Sequence, residues 1–218
     1  MSLKGELDKI RADSLSDARI EAAYRAVVGQ LSRAGTADQT LKVGGSMPPF
    51  MLPNAAGRLV VSDELLAKGP LVVTFFRGSW CPYCQRTLEA LEEVLPRIHA
   101  AGAELVALTP DTGVYLSESE TAGHPSPEIL SDVDGAVGLQ FGVLFRAPDI
   151  YRDLLAGFGV DLRERHGNEG WFIPIPASFV VDRTGTVRYA FVNADFTLRA
   201  DPEEIVQVLE GLKSEGPR

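Results

Sequence analysis

The sequence has few cysteines, few histidines and no long apolar run. Of 218 residues, 2 are cysteine and 3 are histidine, so a secreted fold held by several disulfides is not expected. The longest strongly apolar run, Leu71 to Phe76, is far shorter than the ~18 residues of a membrane span. The chain also lacks an opening basic stretch followed by an apolar one, which a secretion signal would have. These absences predict a cytoplasmic protein without membrane contact.

Basic residues are fewer than acidic ones. The chain has 21 Lys and Arg against 30 Asp and Glu, a formal net charge of −9, and no basic cluster interrupts that balance. A phosphate backbone is therefore not an expected partner, which argues against nucleic-acid binding. Hydrophobic residues make up 45% of the chain, which is typical of one large globular domain or of a domain with an added segment.

Residues 1–45 differ from the rest. Apolar residues recur at helical spacing from Ser14 to Leu31, Gly35 follows them, and residues 35–45 are polar. The pattern predicts an N-terminal helical extension and linker over 1–45, followed by the main domain over 46–218. The apolar stripe of this helix either packs on its own domain or forms a homodimer interface.

The remaining pattern alternates strands and helices. A helix runs from the two cysteines to Ala101 between two buried strands, so those strands should be parallel. The turn Asp182–Gly185 should join two antiparallel strands. The class is therefore α/β with a mixed sheet. Strands are predicted at Arg58–Val61, Leu71–Phe76, Glu104–Leu108, Ile129–Leu130, Ala177–Val181 and Thr186–Val192, and further helices at Asp134–Phe141, Asp149–Phe158 and Pro202–Lys213.

Both cysteines belong to one C-x-x-C sequence, Cys81-Pro82-Tyr83-Cys84, where a buried strand gives way to a helix. Pro82 suits the first helical position because its missing N–H costs nothing there. The helix N-terminus should stabilise negative charge on Cys81 and lower the pKa of its thiol. Cys84, one turn later, is the natural resolving thiol. The pair can therefore alternate between dithiol and disulfide.

Three other interpretations of the pair carry less weight. A structural zinc site needs four ligands, and His99, His124 and His166 are not paired at a ligand spacing. The second interpretation is a metal cluster held by two cysteines from each of two chains. The third is an inert pair of buried cysteines. No metal and no cofactor is therefore expected. His124 and His166 lie in polar stretches and should be solvated.

The segment FFRGSWCPYC, residues 75–84, resembles the active site of the thioredoxin superfamily. It is more closely similar to the peroxiredoxin-like branch called the alkyl hydroperoxide reductase/thiol-specific antioxidant (AhpC/TSA) family. Residues 47–53, 130–132 and 173–182 carry the resemblance further along the chain. It implies a thioredoxin-like, peroxiredoxin-type three-layer α/β/α sandwich with a mixed central sheet. It also implies a cis proline against the cysteines, for which Pro176 matches and Pro174 is the competitor.

The chain departs from this family at two positions. Peroxiredoxins carry Thr or Ser three residues before the reactive cysteine and an Arg near the late strand, whereas this sequence has Gly78 and Pro176 there. Arg77 could supply the missing positive charge, or it could be a structural arginine. Thioredoxins also have a tryptophan directly before the first cysteine, where this sequence has Trp80. The resemblance thus implies a site with catalytic Cys81, Cys84 and Arg77, lined by Thr74, Ser79, Trp80, Pro82, Tyr83 and Pro176.

Three functions remain open. One is a thiol peroxidase in which Cys81 attacks a hydroperoxide, Cys84 resolves the sulfenic acid, and a thioredoxin-like dithiol reduces the disulfide. Another is a thiol-disulfide oxidoreductase acting on a disulfide substrate through the same cysteines. The third is a non-catalytic interaction module of the same fold. The resemblance outside the C-x-x-C favours the peroxidase, whereas the Trp80 sequence and the missing Thr and Arg favour disulfide exchange. The element from Asn193 to Arg199 also resembles a recurrent one in this branch, with no chemistry assigned.

Overall fold

A computed structural model describes residues 2–118 and 126–215 of the chain. Its centre is a five-stranded sheet in the order β5-β4-β3-β8-β9. Two short antiparallel pairs, β1 with β2 and β6 with β7, lie beside it. The strands are β1 Met51–Pro53, β2 Leu59–Val61, β3 Leu71–Phe75, β4 Glu104–Thr109, β5 Glu128–Ser131, β6 Leu144–Arg146, β7 Phe172–Pro174, β8 Ala177–Val181 and β9 Val187–Val192.

The central sheet is mixed, as predicted. Strand β3 pairs in parallel with β4, which pairs in parallel with β5, whereas β3–β8 and β8–β9 are antiparallel. Every residue of β3 is buried, because helices cover both faces of the strand and its β-branched and aromatic side chains pack on each. Phe75 at the end of β3 lies opposite Leu108 of β4 and Ala177 of β8. Because β3 is the central strand, the chain leaves it at the middle of the sheet, between the ends of its two neighbours.

Helices lie on both faces of the sheet and form the outer layers of an α/β/α sandwich. On one face, Val72 packs with Leu95 and Ile205. On the other, Phe75 meets Phe141 and Phe179 edge to face, with ring centres 5.0 and 6.3 Å away. The helices are α1 Leu3–Ser14, α2 Ala18–Arg33, α3 Ser62–Lys68, α4 Pro82–Ala100, α5 Val114–Ser117, α6 Ala136–Gln140, α7 Asp149–Gly157, α8 Leu162–His166 and α9 Pro202–Glu215.

The N-terminal segment holds two helices: the predicted one is present as α2, beginning at Ala18 and not at Ser14, and α1 before it was not predicted. The chain breaks after α1 because the Asp17 side chain caps α2, accepting the Arg19 backbone N–H at 2.8 Å. The predicted apolar stripe of α2 is correct, and it packs in one buried cluster with residues of α7. That stripe is therefore buried within one chain.

Several short elements had not been predicted from the sequence: α1, α3, α5, α8, β6 and β7. Strands β6 and β7 hold the connection between α6 and β8 against the sheet, and the Ile175 N–H donates to the Val143 carbonyl at 2.7 Å. Within residues 2–118 and 126–215, no helix has both the length and the apolar composition that crossing a membrane requires.

Candidate active site

The two cysteines lie where the chain leaves β3 and enters α4. Cys81 is the residue before the helix, Pro82 occupies its first turn, and the Cys84 N–H donates to the Cys81 carbonyl at 2.9 Å. Pro82 fits because its φ is preset for a helix and it lacks the N–H that the first turn leaves unpaired. This confirms the predicted strand, cysteine pair and helix order.

The conformation of Gly78 is incompatible with the threonine that peroxiredoxins carry three residues before the reactive cysteine. Its φ is +135°, a conformation that other residues rarely adopt. A Cβ at this position would lie 2.5 Å from Asp111 Oδ2 and 2.6 Å from Trp80 Nε1. A hydroxyl side chain is therefore excluded here by the backbone and by two neighbouring side chains.

Both thiols are free and buried, with Cys81 3% exposed and Cys84 1% exposed. They belong to an apolar cluster with Phe76, Tyr83, Leu88, Leu116 and Ile129. Leu7 of α1 is part of the same cluster, with Leu3 and Ile10 packed at its border. The N-terminal helix therefore helps to cover the cysteines.

Three donors converge on the Cys84 sulfur: Arg199 Nη2 at 3.5 Å, the backbone N–H of Arg77 and the thiol of Cys81. Burial works to raise the pKa of Cys84, but the hydrogen bond from Cys81, the Arg199 charge and the Arg77 N–H outweigh it and lower that pKa to about 5. The hydrogen bond to Cys84, together with burial, raises the pKa of Cys81 well above its usual value. Arg199 and the Arg77 N–H thus favour a negative charge on Cys84.

The prediction of a low-pKa Cys81 rests on the helix N-terminus next to that residue. The two buried thiols are coupled, so a negative charge on one of them raises the pKa of the other. The site therefore favours one thiolate and one thiol that share a proton, and a thiolate at Cys81 stays a prediction.

Arg77 is 0% exposed and lies between aromatic rings near the cysteines. Its Nη1 donates to the Tyr151 hydroxyl at 2.9 Å, and its Nε donates to the Pro174 carbonyl at 3.4 Å. Its Nη2 is buried without a hydrogen-bond partner, and no carboxylate pairs with it among the described residues. Its positive charge acts to lower the pKa values of both Cys81 and Cys84. A buried unpaired guanidinium beside two sulfurs is suited to an anion that forms there.

The loop from residue 193 to residue 199 brings a second arginine to the cysteines. Asp195 organises this loop by accepting the Thr197 N–H at 3.0 Å and the Tyr24 hydroxyl of α2 at 2.8 Å. Arg199 Nη1 donates to the carbonyls of Phe196 and Leu198, and Nη2 is left to reach Cys84. Arg199 was not among the site residues predicted. The sequence signal that could have indicated Arg199 is the element from Asn193 to Arg199, which contains Asp195 and resembles a recurrent one.

A buried ionic cluster lies beneath the residues that precede Cys81. Arg165 pairs with Asp111 through Nε at 3.1 Å and Nη2 at 2.7 Å, and Nη2 also donates to Ser79 Oγ at 2.7 Å. Burial raises the pKa of Asp111 to about 6, in spite of Arg165. Ser79 Oγ in turn donates to Glu118 at 3.2 Å.

His166 is buried beside this cluster, so the prediction of a solvated side chain was wrong. It is 3% exposed, its Nε2 is 3.8 Å from Asp111 Oδ1, and burial lowers its pKa to about 4. The helix α8 carries it inward next to Arg165, which the polar composition of the stretch did not indicate. His124 lies outside the described residues.

The other predicted lining residues separate into two groups. Trp80 and Tyr83 lie with the cysteines, Tyr83 meets the Phe196 ring edge to face at 6.4 Å, and the Trp80 Nε1 is buried without a hydrogen-bond partner in the described part of the chain. Thr74 instead belongs to the sheet, where its hydroxyl donates to the Ala177 carbonyl at 3.1 Å and lies 3.0 Å from Ser178 Oγ. Its hydroxyl therefore bonds within the sheet, although Thr74 was predicted to line the site.

Pro176 is buried, but its peptide bond is trans, as is every X-Pro bond in the ranges that the structure describes. The predicted cis bond was wrong. Only two residues separate β7 from β8, and Ile175 donates to Val143 on the way. The chain thus runs on without the tight turn in which cis prolines usually occur.

Over residues 2–118 and 126–215, no group of three or more His, Cys, Asp or Glu side chains could hold a metal ion. The cysteine pair has only arginines, aromatic rings and aliphatic side chains around it. The arrangement can exchange a proton between two sulfurs, stabilise one thiolate and form a disulfide.

Comparison with known proteins adds the following similarities. The model of the AhpC/TSA family matches residues 43–190. The thiol-disulfide oxidoreductase ResA of Bacillus anthracis is 25% identical over 149 residues, 68% of this chain and 69% of ResA. The chloroplastic peroxiredoxin Q of Sedum lineare is 26% identical over 174 residues, 78% of each chain.

Among solved structures, the peroxidoxin BcpB of Mycobacterium tuberculosis superposes with a TM-score of 0.58 at 21% identity. The match covers 79% of this chain and 98% of BcpB. At that identity the superposition establishes the fold alone, and it confirms the predicted thioredoxin-like, peroxiredoxin-type architecture.

Proposed function

The chain belongs to the AhpC/TSA family of thiol-based oxidoreductases, and from this we propose that it reduces hydroperoxides with Cys81 and Cys84. One observation carries the proposal: both sulfurs lie together in a closed site beside the unpaired guanidinium of Arg77. A positive charge with a free donor at a buried nucleophile suits a reaction that expels an alkoxide or hydroxide.

The enclosure of the site favours a small substrate. Cys81 is 3% exposed and shares its apolar cluster with Leu7 of α1. A disulfide on a folded protein would need an open face around the attacking sulfur, as any macromolecular contact does. A hydroperoxide needs access for two oxygen atoms only. With α1 in place, the site is therefore better suited to a hydroperoxide than to a protein disulfide.

The shared proton allows a balanced reaction. Cys81 passes its proton to the Cys84 thiolate and attacks the distal oxygen of the hydroperoxide, whose O–O bond breaks. Cys81 becomes a sulfenic acid, and the Cys84 proton neutralises the leaving alkoxide. The Cys84 thiolate then attacks the Cys81 sulfur and expels hydroxide, leaving a disulfide. Two electrons pass from the dithiol to the peroxide, which is released as an alcohol and hydroxide.

Arg77 is the proposed catalytic arginine of the first step. Its Nη2 has no partner in the dithiol state, so a developing oxyanion can accept a hydrogen bond there without displacing another group. The Tyr151 hydroxyl and the Pro174 carbonyl hold the other guanidinium nitrogens in place. Such prepared donors stabilise charge that appears only in the transition state. Trp80, Tyr83, Pro82 and Pro176 line the site in this proposal, and Ser79 orients the segment before Cys81.

A thioredoxin-type dithiol is the proposed reductant that completes the cycle. It attacks Cys81 and releases Cys84, which is the better leaving group because of its low pKa. Since α1 covers Cys81, we infer that α1 moves aside for this step. We further propose the division into residues 1–45 and 46–218 and a homodimer. We also propose a reducing, cytoplasmic compartment, because the chain has only two cysteines and both belong to one C-x-x-C.

The decisive experiment mixes the pre-reduced protein with excess hydrogen peroxide and follows thiol loss with time. Wild type should lose both thiols far faster than a free thiol does. Cys81→Ser should abolish the fast reaction, and Cys84→Ser should stop it at a sulfenic acid. A wild-type rate equal to that of a free thiol would refute the proposal.

Disulfide exchange is the second candidate, and one observation favours it: Gly78 excludes the threonine of peroxiredoxins, while Trp80 stands where thioredoxins have it. In that case Cys81 attacks a substrate disulfide and Cys84 resolves the mixed disulfide. Pre-reduced protein mixed with oxidised glutathione would then react faster than with hydrogen peroxide. We expect the opposite order of rates.

A further inference from the structure

Arg199 contacts the sulfur of Cys84. Its Nη2 is 3.5 Å from Cys84 Sγ, and Cys84 is 1% exposed. The contact joins residues 115 positions apart in the chain, so it depends on the folded loop before α9. It is the only side-chain charge with a hydrogen bond to either sulfur among the described residues.

The guanidinium of Arg199 is held in one orientation. Nη1 donates to the carbonyls of Phe196 and Leu198, the latter at 2.8 Å. No carboxylate pairs with Arg199 in the part of the chain that the structure describes. Its charge is therefore not neutralised by a protein anion. The thiolate that it reaches is its counterion.

We propose that Arg199 is a catalytic residue that holds the resolving Cys84 as a thiolate and thereby sets the reduction potential of the Cys81–Cys84 pair. A stabilised thiolate favours the reduced state of the pair and makes its disulfide easier to reduce. It also keeps Cys84 ionised at neutral pH for attack on an oxidised Cys81. Arg199 and Arg77 thus have separate tasks, because Arg199 contacts the resolving sulfur whereas the charge of Arg77 acts on both thiols.

Other groups face Cys84 as well. The backbone N–H of Arg77 and the thiol of Cys81 donate to its sulfur, and the Arg77 charge is close. An effect of Arg199 must therefore be measured by comparing variants in which these other groups are the same. The aromatic and aliphatic neighbours in the cluster carry no charge. Arg199 is the member of this set that can be changed without altering the segment from Arg77 to Cys84.

The part of this proposal that concerns attack on the sulfenic acid rests on the proposed function. The potential and the ionisation of Cys84 do not, because they belong to the dithiol–disulfide couple whatever its substrate. Measuring them separately from the peroxide reaction distinguishes a failure of one proposal from a failure of the other.

The test compares Arg199→Gln and Arg199→Lys in the full chain, with Arg97→Gln as the control. Glutamine retains a donor for the two carbonyls but lacks the charge, whereas lysine keeps the charge. Arg97 is a half-exposed arginine of α4 that pairs with Glu203. The potential of each protein is titrated against a dithiothreitol redox buffer. The pKa of Cys84 is read from thiolate absorbance against pH in a Cys81→Ser background.

Arg199→Gln should make the pair at least about tenfold harder to reduce, a shift of about 30 mV for a two-electron couple. The pKa of Cys84 should rise by at least about one unit, since one unit is the same tenfold factor. Arg199→Lys should recover most of both changes, and Arg97→Gln should match wild type. Wild-type values in Arg199→Gln, or equal changes in the glutamine and lysine variants, would overturn the proposal. If the potential and the pKa of Cys84 change as expected but no fast reaction with peroxide is seen, the proposed function is wrong and the role of Arg199 is retained.

Discussion

The guanidinium carbon of Arg77 lies 3.8 Å from the centre of the Phe196 ring. This contact joins the end of β3 to the loop that carries Arg199, and so brings both arginines to one cysteine pair. Stacking on an aromatic face offsets part of the cost of burying a charge. It does not neutralise that charge. The site therefore holds positive charge ready for a thiolate and for an anion released beside it.

Arg77→Met should slow the reaction with hydrogen peroxide by about 10²-fold, the usual effect of losing one donor to a developing oxyanion. The free energy of unfolding should change by less than about 2 kcal/mol, since the lost stacking and hydrogen bonds are balanced by removal of an unpaired buried charge. Rapid-mixing thiol assays and urea unfolding measure the two effects. Arg152→Met is the control, because Arg152 stacks on Trp171 instead. An unchanged peroxide rate in Arg77→Met would remove Arg77 from the catalytic residues.

Leu7→Ala should expose the cysteines without unfolding the domain. Leu7 is 5% exposed and joins α1 to the cluster around Cys81, and deleting a buried leucine side chain costs about 2 kcal/mol or more. Because α1 is a terminal helix, the lost free energy should appear as more frequent detachment of α1 from the domain. Alkylation of the thiols by a bulky maleimide should accelerate at least about tenfold. Lys4→Ala, on the exposed face of the same helix, should react like wild type, and equal rates for both variants would show that α1 is not the cover.

The central sheet could be predicted because its strands carry their own signal. Leu71 to Phe75 is a continuous β-branched and aromatic run that is buried on both faces, and the turn at Asp182–Gly185 fixes an antiparallel pair. Helix α1 lacked such a signal, because only Leu7 of its residues is buried. Its place depends on packing against α4, which the sequence of α1 alone does not specify.

Some residues of the site could also be predicted, because a local sequence signal marks them. Cys81, Cys84 and Arg77 are neighbours in the sequence, so the C-x-x-C located all of them. Arg199 reaches Cys84 from 115 residues away, and no local pattern pairs them. The ionisation of the two thiols also follows from these tertiary contacts. The helix N-terminus next to Cys81 is only one of the contributions to that ionisation.

Asp111→Ala should destabilise the protein by about 3 kcal/mol at pH 7. Alanine removes both oxygens that accept from Arg165, and the buried arginine keeps only the half-exposed Glu118, 3.5 Å from its Nη1, as a carboxylate partner. Breaking a buried pair typically costs about 3–5 kcal/mol. Urea unfolding measures the effect. Asp149→Ala removes the partner of Arg152 at a position where the carboxylate is 81% exposed, so it should cost less than about 1 kcal/mol. Equal losses in the two variants would mean that the Asp111–Arg165 pair contributes no more than a surface pair.

Asp111 and His166 should have opposite effects on stability against pH. The pKa of Asp111 is raised from 3.8 to about 6, so the folded protein binds the extra proton and stability falls as pH rises between those values. The pKa of His166 is lowered from 6.5 to about 4, so the unfolded chain binds the extra proton there. Its contribution to stability therefore rises as pH rises from about 4 to 6.5. In wild type the two dependences largely cancel.

His166→Gln removes one side of this balance. Relative to wild type, the variant should lose about 3 kcal/mol of stability as pH rises from 4 to 6.5, which is the free-energy equivalent of the pKa shift of His166. Urea unfolding of both proteins across that range measures the difference, and the many surface carboxylates cancel in the comparison. His99→Gln is the control, since His99 is half exposed near Glu104 and should follow wild type. Parallel stability curves for wild type and His166→Gln would show that His166 is not held neutral in the folded protein.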